Sequence, residues 1–120
     1  MSLTLAKAAS LLLEHHLLNE IITPQGWTLN ADGITDAHAS FTHITYDTRS
    51  VRKGTLLVCK GRFKPEFLDG LDDKGLAAYV SQTDYSAYTD APGLIVTDAR
   101  KALSLLSAEF YGRPQDGLTL

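Results

Sequence analysis

The sequence predicts an α/β fold: a single three-layer domain with a small mixed, partly parallel sheet flanked by helices. Three observations point there. Residues 55–59 form an apolar run, Leu56, Leu57 and Val58, and a strand apolar on both faces belongs in a covered sheet. A strand over 55–60, a helix over 65–74 and a strand over 77–81 make a βαβ unit, which should be parallel and right-handed. Ala99, Ala102, Leu103, Leu106 and Phe110 fall on one face of a helix over 99–111.

Taken in order, Leu5, Ala8, Ala9, Leu12, Leu13 and Leu17 recur at helical spacing, and no Gly or Pro intervenes before Pro24. This predicts a helix over 4–19. His15 and His16 are adjacent, so their rings diverge by about 100° and do not share a metal. Residues 23–40 read as loop, with a short strand at 27–29 and Trp27 as a core plug. Thr, Ile and Tyr content predicts a strand over 41–47. Pro65 suits the first turn of the helix 65–74, Gly75 its stop, and Phe67, Leu68 and Leu71 its inward stripe. The adjacent Asp72 and Asp73 read as solvated. Residues 82–93 form a polar loop with Tyr85 and Tyr88 on its surface. Leu94–Val96 is a short strand, Asp98 caps the last helix, Gly112 and Pro114 end it, and 118–120 begin another strand.

Length and composition set limits. A chain of 120 residues is one domain and buries about two thirds of its unfolded surface, enough for a core without staples. The lone Cys59 excludes an intrachain disulfide; it suits a reducing cytosol and, within an apolar strand, reads as a small core residue. No apolar run is long enough to span a membrane, and the N-terminus is a poor signal peptide. The expected location is cytoplasmic. With a formal charge of −3, duplex nucleic acid is not an expected partner.

Charge is distributed unevenly. Between Thr48 and Pro65 there is no acid, while Arg49, Arg52, Lys53, Lys60, Arg62 and Lys64 supply six of the eleven cationic residues. Such a run is often a solvated face. Here it flanks an apolar strand and is mixed with Thr48, Ser50, Gly54 and Gly61, whose backbone N–H groups can approach a phosphate. No nucleotide loop of the form Gly-x-x-x-x-Gly-Lys-Ser/Thr or Gly-x-Gly-x-x-Gly occurs, and His and Cys spacings match no zinc site. No catalytic set is expected.

Two stretches carry a resemblance. Tyr46-Asp47-Thr48-Arg49-Ser50-Val51-Arg52-Lys53-Gly54-Thr55-Leu56-Leu57-Val58, followed by Lys60-Gly61-Arg62-Phe63-Lys64, resembles the N-terminal domain of Mur ligases of the MurE type. Val96-Thr97-Asp98-Ala99-Arg100-Lys101-Ala102-Leu103, then Phe110-Tyr111-Gly112-Arg113-Pro114, resembles the helix leading from that domain toward the ATP-binding domain. Together they cover about residues 40–114.

The resemblance implies a UDP-sugar-binding domain over 1–114, with 115–120 starting the linker or strand into an ATP-binding domain. It implies an ATP-dependent ligase in peptidoglycan biosynthesis that adds the third stem residue, lysine or meso-diaminopimelate, to UDP-MurNAc-L-Ala-D-Glu. The 120 residues alone would be inactive. ATP and Mg2+ are implied for the full-length enzyme, none for this stretch. The expected partners are the UDP-MurNAc-dipeptide and the remaining domains of the same chain.

By position in the motif, Tyr46, Thr48, Arg62, Phe63 and Lys64 would contact the UDP moiety, with Asp47, Arg49, Lys60 and Gly61 in support. Phe63 would stack on a base and the cations would neutralise a diphosphate. Asp47 is expected to be structural, accepting backbone N–H groups or pairing with Arg49. The second loop departs from the commonest family pattern, which has Gly-His-x-x-Asp-Gly there. Rival readings are a MurF-type ligase domain and a free-standing nucleotide-sugar-binding module without catalysis. The connection 48–54 is short for a parallel crossover. An antiparallel hairpin would instead set Thr48 and Arg62 about 17 Å apart.

Overall fold

Among the described residues, six strands form one sheet, and parallel pairing dominates it. The structure, a computed structural model, describes residues 3–23, 26–28, 41–59, 64–68 and 70–111. Its elements are α1 (Leu5–Glu14), β1 (Leu18–Thr23), β2 (Gly26–Thr28), β3 (His43–Thr45), β4 (Thr55–Val58), β5 (Leu76–Ser81), β6 (Gly93–Val96) and α2 (Ala99–Tyr111). Strands β3, β4, β5 and β6 are mutually parallel neighbours. β1 joins β6 antiparallel, and β2 joins β1 antiparallel.

The order explains the layers. From β3 to β6 the chain steps across the sheet in one direction, so crossovers of one hand all lie on one face. Val51, Leu68, Leu71, Tyr85 and Ala91 come from those crossovers, and they pack beneath Leu57, Tyr79 and Ile95. The helices take the other face. Leu5, Ala8, Ala9 and Leu12 of α1 and Ala99, Ala102 and Leu106 of α2 cover Leu56, Val58, Ala78, Val80, Leu94 and Val96. Alternation along β4 therefore sends Leu56 to one layer and Leu57 to the other. All four β4 residues are buried, as its apolar run predicts.

Several sequence expectations are corrected. The first helix ends at Glu14, not residue 19. His16 adopts a left-handed conformation, φ 61°, and Leu17 N–H donates back to the Leu12 carbonyl. Such a left-handed cap ends a helix, and the β-branched Ile21, Ile22 and Thr23 then pair with β2, the first two also with β6. The helix over 65–74 is instead two short 3-10 turns, Pro65–Leu68 and Asp72–Lys74. Gly70 lies between them at φ 80°, a conformation that breaks a helix and that glycine adopts without strain. Leu68 and Leu71 still point inward, but Phe67 is 46% exposed. Trp27 is no core plug: it sits on the edge strand β2, 67% exposed. Tyr85 is buried, whereas Tyr88 is exposed. Asp72 is exposed but not idle, since Thr89 Oγ1 and Asp90 N–H both donate to its carboxylate. Helix α2 begins and ends as predicted, with Arg100 and Lys101 N–H groups donating to Asp98 Oδ1. The strand expected over 118–120, Leu29 and the domain boundary at 114 lie outside the described residues.

Candidate functional site

Parallel strands bring their carboxyl ends to one sheet edge, which is where open α/β sheets bind ligands. Thr45 pairs with Leu57 and Ile44 with Leu56. Tyr46 and Asp47 therefore leave β3 at the same edge where Val58 and Cys59 leave β4. The antiparallel alternative is removed. The connection succeeds with so few residues because β3 and β4 hold only 3 and 4 residues, a rise of about 10–13 Å. A 3-10 turn, Thr48–Ser50, and an extended arm cover that distance, and Val51 anchors the arm in the core.

The turn is built by its own side chains. Asp47 N–H donates to Thr45 Oγ1 at 3.1 Å. Asp47 Oδ1 accepts the Arg49 N–H at 2.9 Å, so Asp47 caps the turn. The Arg49 guanidinium closes on the same carboxylate, Nε to Oδ1 at 3.1 Å and Nη2 to Oδ2 at 3.2 Å. Asp47 is thus structural in both ways expected of it. The side-chain hydrogen bond from Arg49, and then its backbone N–H, hold the Asp47 carboxyl below its usual range, and the same carboxylate raises Arg49. Beside this pair Thr48 is half-buried and Tyr46 is 60% exposed.

The basic window does not stay together in space. Arg52 N–H donates to Thr55 Oγ1, and Arg52 Nη2 lies 3.4 Å from His43 Nδ1. The Lys53 carbonyl accepts the Thr42 hydroxyl at 2.6 Å. These contacts sit at the amino ends of β3 and β4, the edge opposite Thr48. Burial, and then the Arg52 charge, lower the His43 pKa. Tyr46, Asp47, Thr48 and Arg49 are brought together; Arg52 and Lys53 are not brought to them. Lys64 is exposed in the stretch after β4. Lys60, Gly61, Arg62 and Phe63 lie outside the described residues. Cys59 is buried, and burial pushes its thiol far up from its usual pKa, as suits a core residue rather than a nucleophile.

Sequence reasoning overlooked a third segment at this edge. Ser81 ends β5 with its hydroxyl donating to the Thr83 carbonyl, and Gln82 Oε1 accepts the Ala99 N–H at 3.0 Å. The signal was present: in a parallel sheet, whatever follows β5 must emerge beside whatever follows β4.

Among curated proteins, the chain is 62% identical over 120 residues to a UDP-N-acetylmuramyl-tripeptide synthetase of Bifidobacterium longum, covering 100% of this chain and 23% of that protein. It is 45% identical over 118 residues to the synthetase of the same name from Ligilactobacillus salivarius, covering 98% of this chain and 21% of that protein. It is 38% identical over 121 residues to a UDP-N-acetylmuramoyl-L-alanyl-D-glutamate–L-lysine ligase of Enterococcus faecalis, covering 100% and 23%. The chain belongs to the MurE-type ligase family. It spans about a fifth of the length of these relatives. No family model matches it.

The cofactors of a MurE-type ligase can be tested against the residues present. The chain contains no Gly-x-x-x-x-Gly-Lys-Ser/Thr loop to cradle a triphosphate. Among the described residues no group of three or more His, Cys, Asp or Glu side chains is placed to hold a metal ion. Among the described residues, no helix is long and apolar enough to cross a membrane.

Proposed function

We propose that this chain is the substrate-gripping domain of a MurE-type ligase, holding the UDP end of UDP-MurNAc-L-Ala-D-Glu. The full-length protein would add the third stem residue to that dipeptide, using ATP and Mg2+ bound elsewhere in the chain. Tyr46, Thr48, Arg62, Phe63 and Lys64 would contact the UDP moiety, supported by Asp47, Arg49, Lys60 and Gly61. Residues 1–114 would form this domain, with 115–120 leading out of it, and the location would be cytoplasmic. The names of the relatives favour this reading over a MurF-type domain.

The parallel pairing of β3 with β4 carries the proposal. It puts the Tyr46–Thr48 turn at the edge where β4 ends at Val58 and Cys59, as two loops sharing a ligand would require. The chemistry suits a nucleotide: an exposed tyrosine ring, a half-buried hydroxyl and a guanidinium stand within four consecutive residues. This domain would contribute binding and orientation. It would fix the nucleotide end so that the distant glutamate carboxylate is presented to the chemistry, a positioning contribution.

The test is an amide-resolved NMR titration of the 120-residue chain with UDP. Shifts should cluster at Tyr46–Arg49 and in the stretch after Cys59. Affinity should be weak, sub-millimolar at best, because a small polar ligand loses much translational freedom on binding. Shifts confined to α1 would overturn the site.

A further inference from the structure

Resting on this nucleotide-end reading, we propose that Arg49 is the residue that grips the diphosphate and that Asp47 is its positioning residue. The six cations of the basic window look equivalent in sequence. In the fold they are not. Arg52 and Lys53 sit at the amino edge of the sheet, where Arg52 Nη2 lies against His43 and the Lys53 main-chain carbonyl accepts the Thr42 hydroxyl. Of the described cations in the window, Arg49 is the one held by side-chain hydrogen bonds at the carboxyl edge.

How it is held matters. A guanidinium carries donors on Nε, Nη1 and Nη2 in a rigid plane. Asp47 takes the Nε and Nη2 side of that plane. The end-on pair, formed by Nη1 and the remaining Nη2 hydrogen, is left pointing away from the carboxylate. The Arg49 side chain is 89% exposed despite both bonds, while Asp47 is 36% exposed beneath it. The two bonds bias a flexible arginine toward one fork orientation beside Thr48. Such a fork matches two oxygens of a phosphate or diphosphate. Pre-orientation lowers the entropy lost on binding. Asp47 also offsets part of the arginine charge, so the gain is directional rather than a broad attraction, and a moderate effect is expected.

The experiment titrates UDP and uridine in parallel against the wild-type chain and three variants, read by amide shifts. Arg49→Gln should weaken UDP about fivefold and leave uridine unchanged, a size suited to one exposed charge-assisted contact. Arg49→Lys keeps the charge but not the fork and should weaken UDP by a similar factor. Asp47→Asn retains a cap for the turn but loses the paired carboxylate. It should weaken UDP while sparing uridine, a split that a merely structural role would not give. Unchanged UDP affinity in Arg49→Gln, or an equal loss of uridine and UDP in that variant, overturns the proposal. A wild-type chain that binds neither compound refutes the underlying site instead, so the two failures are distinguishable.

Discussion

Gly93→Ala should destabilise the domain severely, through one ring. Gly93 opens β6 directly opposite Tyr79 of β5. A Cβ built on Gly93 would overlap that ring, lying 2.5 Å from the hydroxyl oxygen, 2.6 Å from Cε2 and closer still to Cζ. Tyr79 has no room to retreat, because it is 0% exposed at the centre of the crossover-side core. Its hydroxyl oxygen also accepts the buried Tyr85 N–H at 3.0 Å. Overpacking a fixed core costs about 1–3 kcal/mol. Pushing the phenol off Tyr85 leaves a buried donor unsatisfied, about 1–3 kcal/mol more. The expected loss is therefore about 2–6 kcal/mol, a large part of a small domain's stability. Urea unfolding followed by circular dichroism measures it. Tyr79→Leu should itself destabilise, but in that background Gly93→Ala should cost at least about 1 kcal/mol less than alone, because the overlap is gone. A Gly93→Ala chain within about 0.5 kcal/mol of wild type, or strictly additive costs in the double variant, would refute the reasoning.

Two other outcomes are expected. Burial pushes the Tyr79 hydroxyl up to about 12, from an ordinary value near 10. The tyrosine of the unfolded chain then ionises first, so the contribution of Tyr79 to stability is full below about pH 10 and is lost as pH rises toward 12, by on the order of 2 kcal/mol, on top of the decline that the buried Cys59 thiol begins at lower pH. Tyr79→Phe should flatten that alkaline decline, and a decline of equal slope in the variant would sink the assignment. Thr48→Ala, in the full-length ligase proposed above, should raise KM for the UDP-substrate about threefold to tenfold and leave kcat nearly unchanged, as loss of one ground-state hydrogen bond does. Melting temperature should stay put, since the turn is capped by the Asp47 carboxylate and not by the Thr48 hydroxyl. A fall in melting temperature with an unchanged KM would remove Thr48 from the site.

What was legible in the sequence was local. The apolar run at Leu56–Val58 marked a strand covered on both faces, and Asp98 with the spacing through Phe110 marked α2, because neighbours a turn apart decide both. The pairing of Asp47 with Arg49 was also legible, since residues two apart in a tight turn must meet. Identity beyond fold came from two stretches in order, Tyr46–Val58 with Lys60–Lys64 and Val96–Leu103 with Phe110–Pro114, where the resemblance to known ligases lies within consecutive residues.

Tertiary structure decided everything that depends on which strand lies beside which. His16 could end α1 in a left-handed turn only because β6 waits to pair with Ile21 and Ile22. Tyr85 is buried because the ring of Tyr79 lies 6.0 Å from it across the core, whereas local polarity suggested the surface. Trp27 is exposed because β2 closes the sheet with nothing beyond it among the described residues. The basic window, continuous in sequence, is divided between two sheet edges, since a chain that crosses from the end of β3 to the start of β4 must leave Arg49 at one edge and Arg52 at the other. Charge content is a property of sequence; which charges can meet one ligand is a property of strand direction, and pairwise hydrogen bonding across the sheet sets that direction.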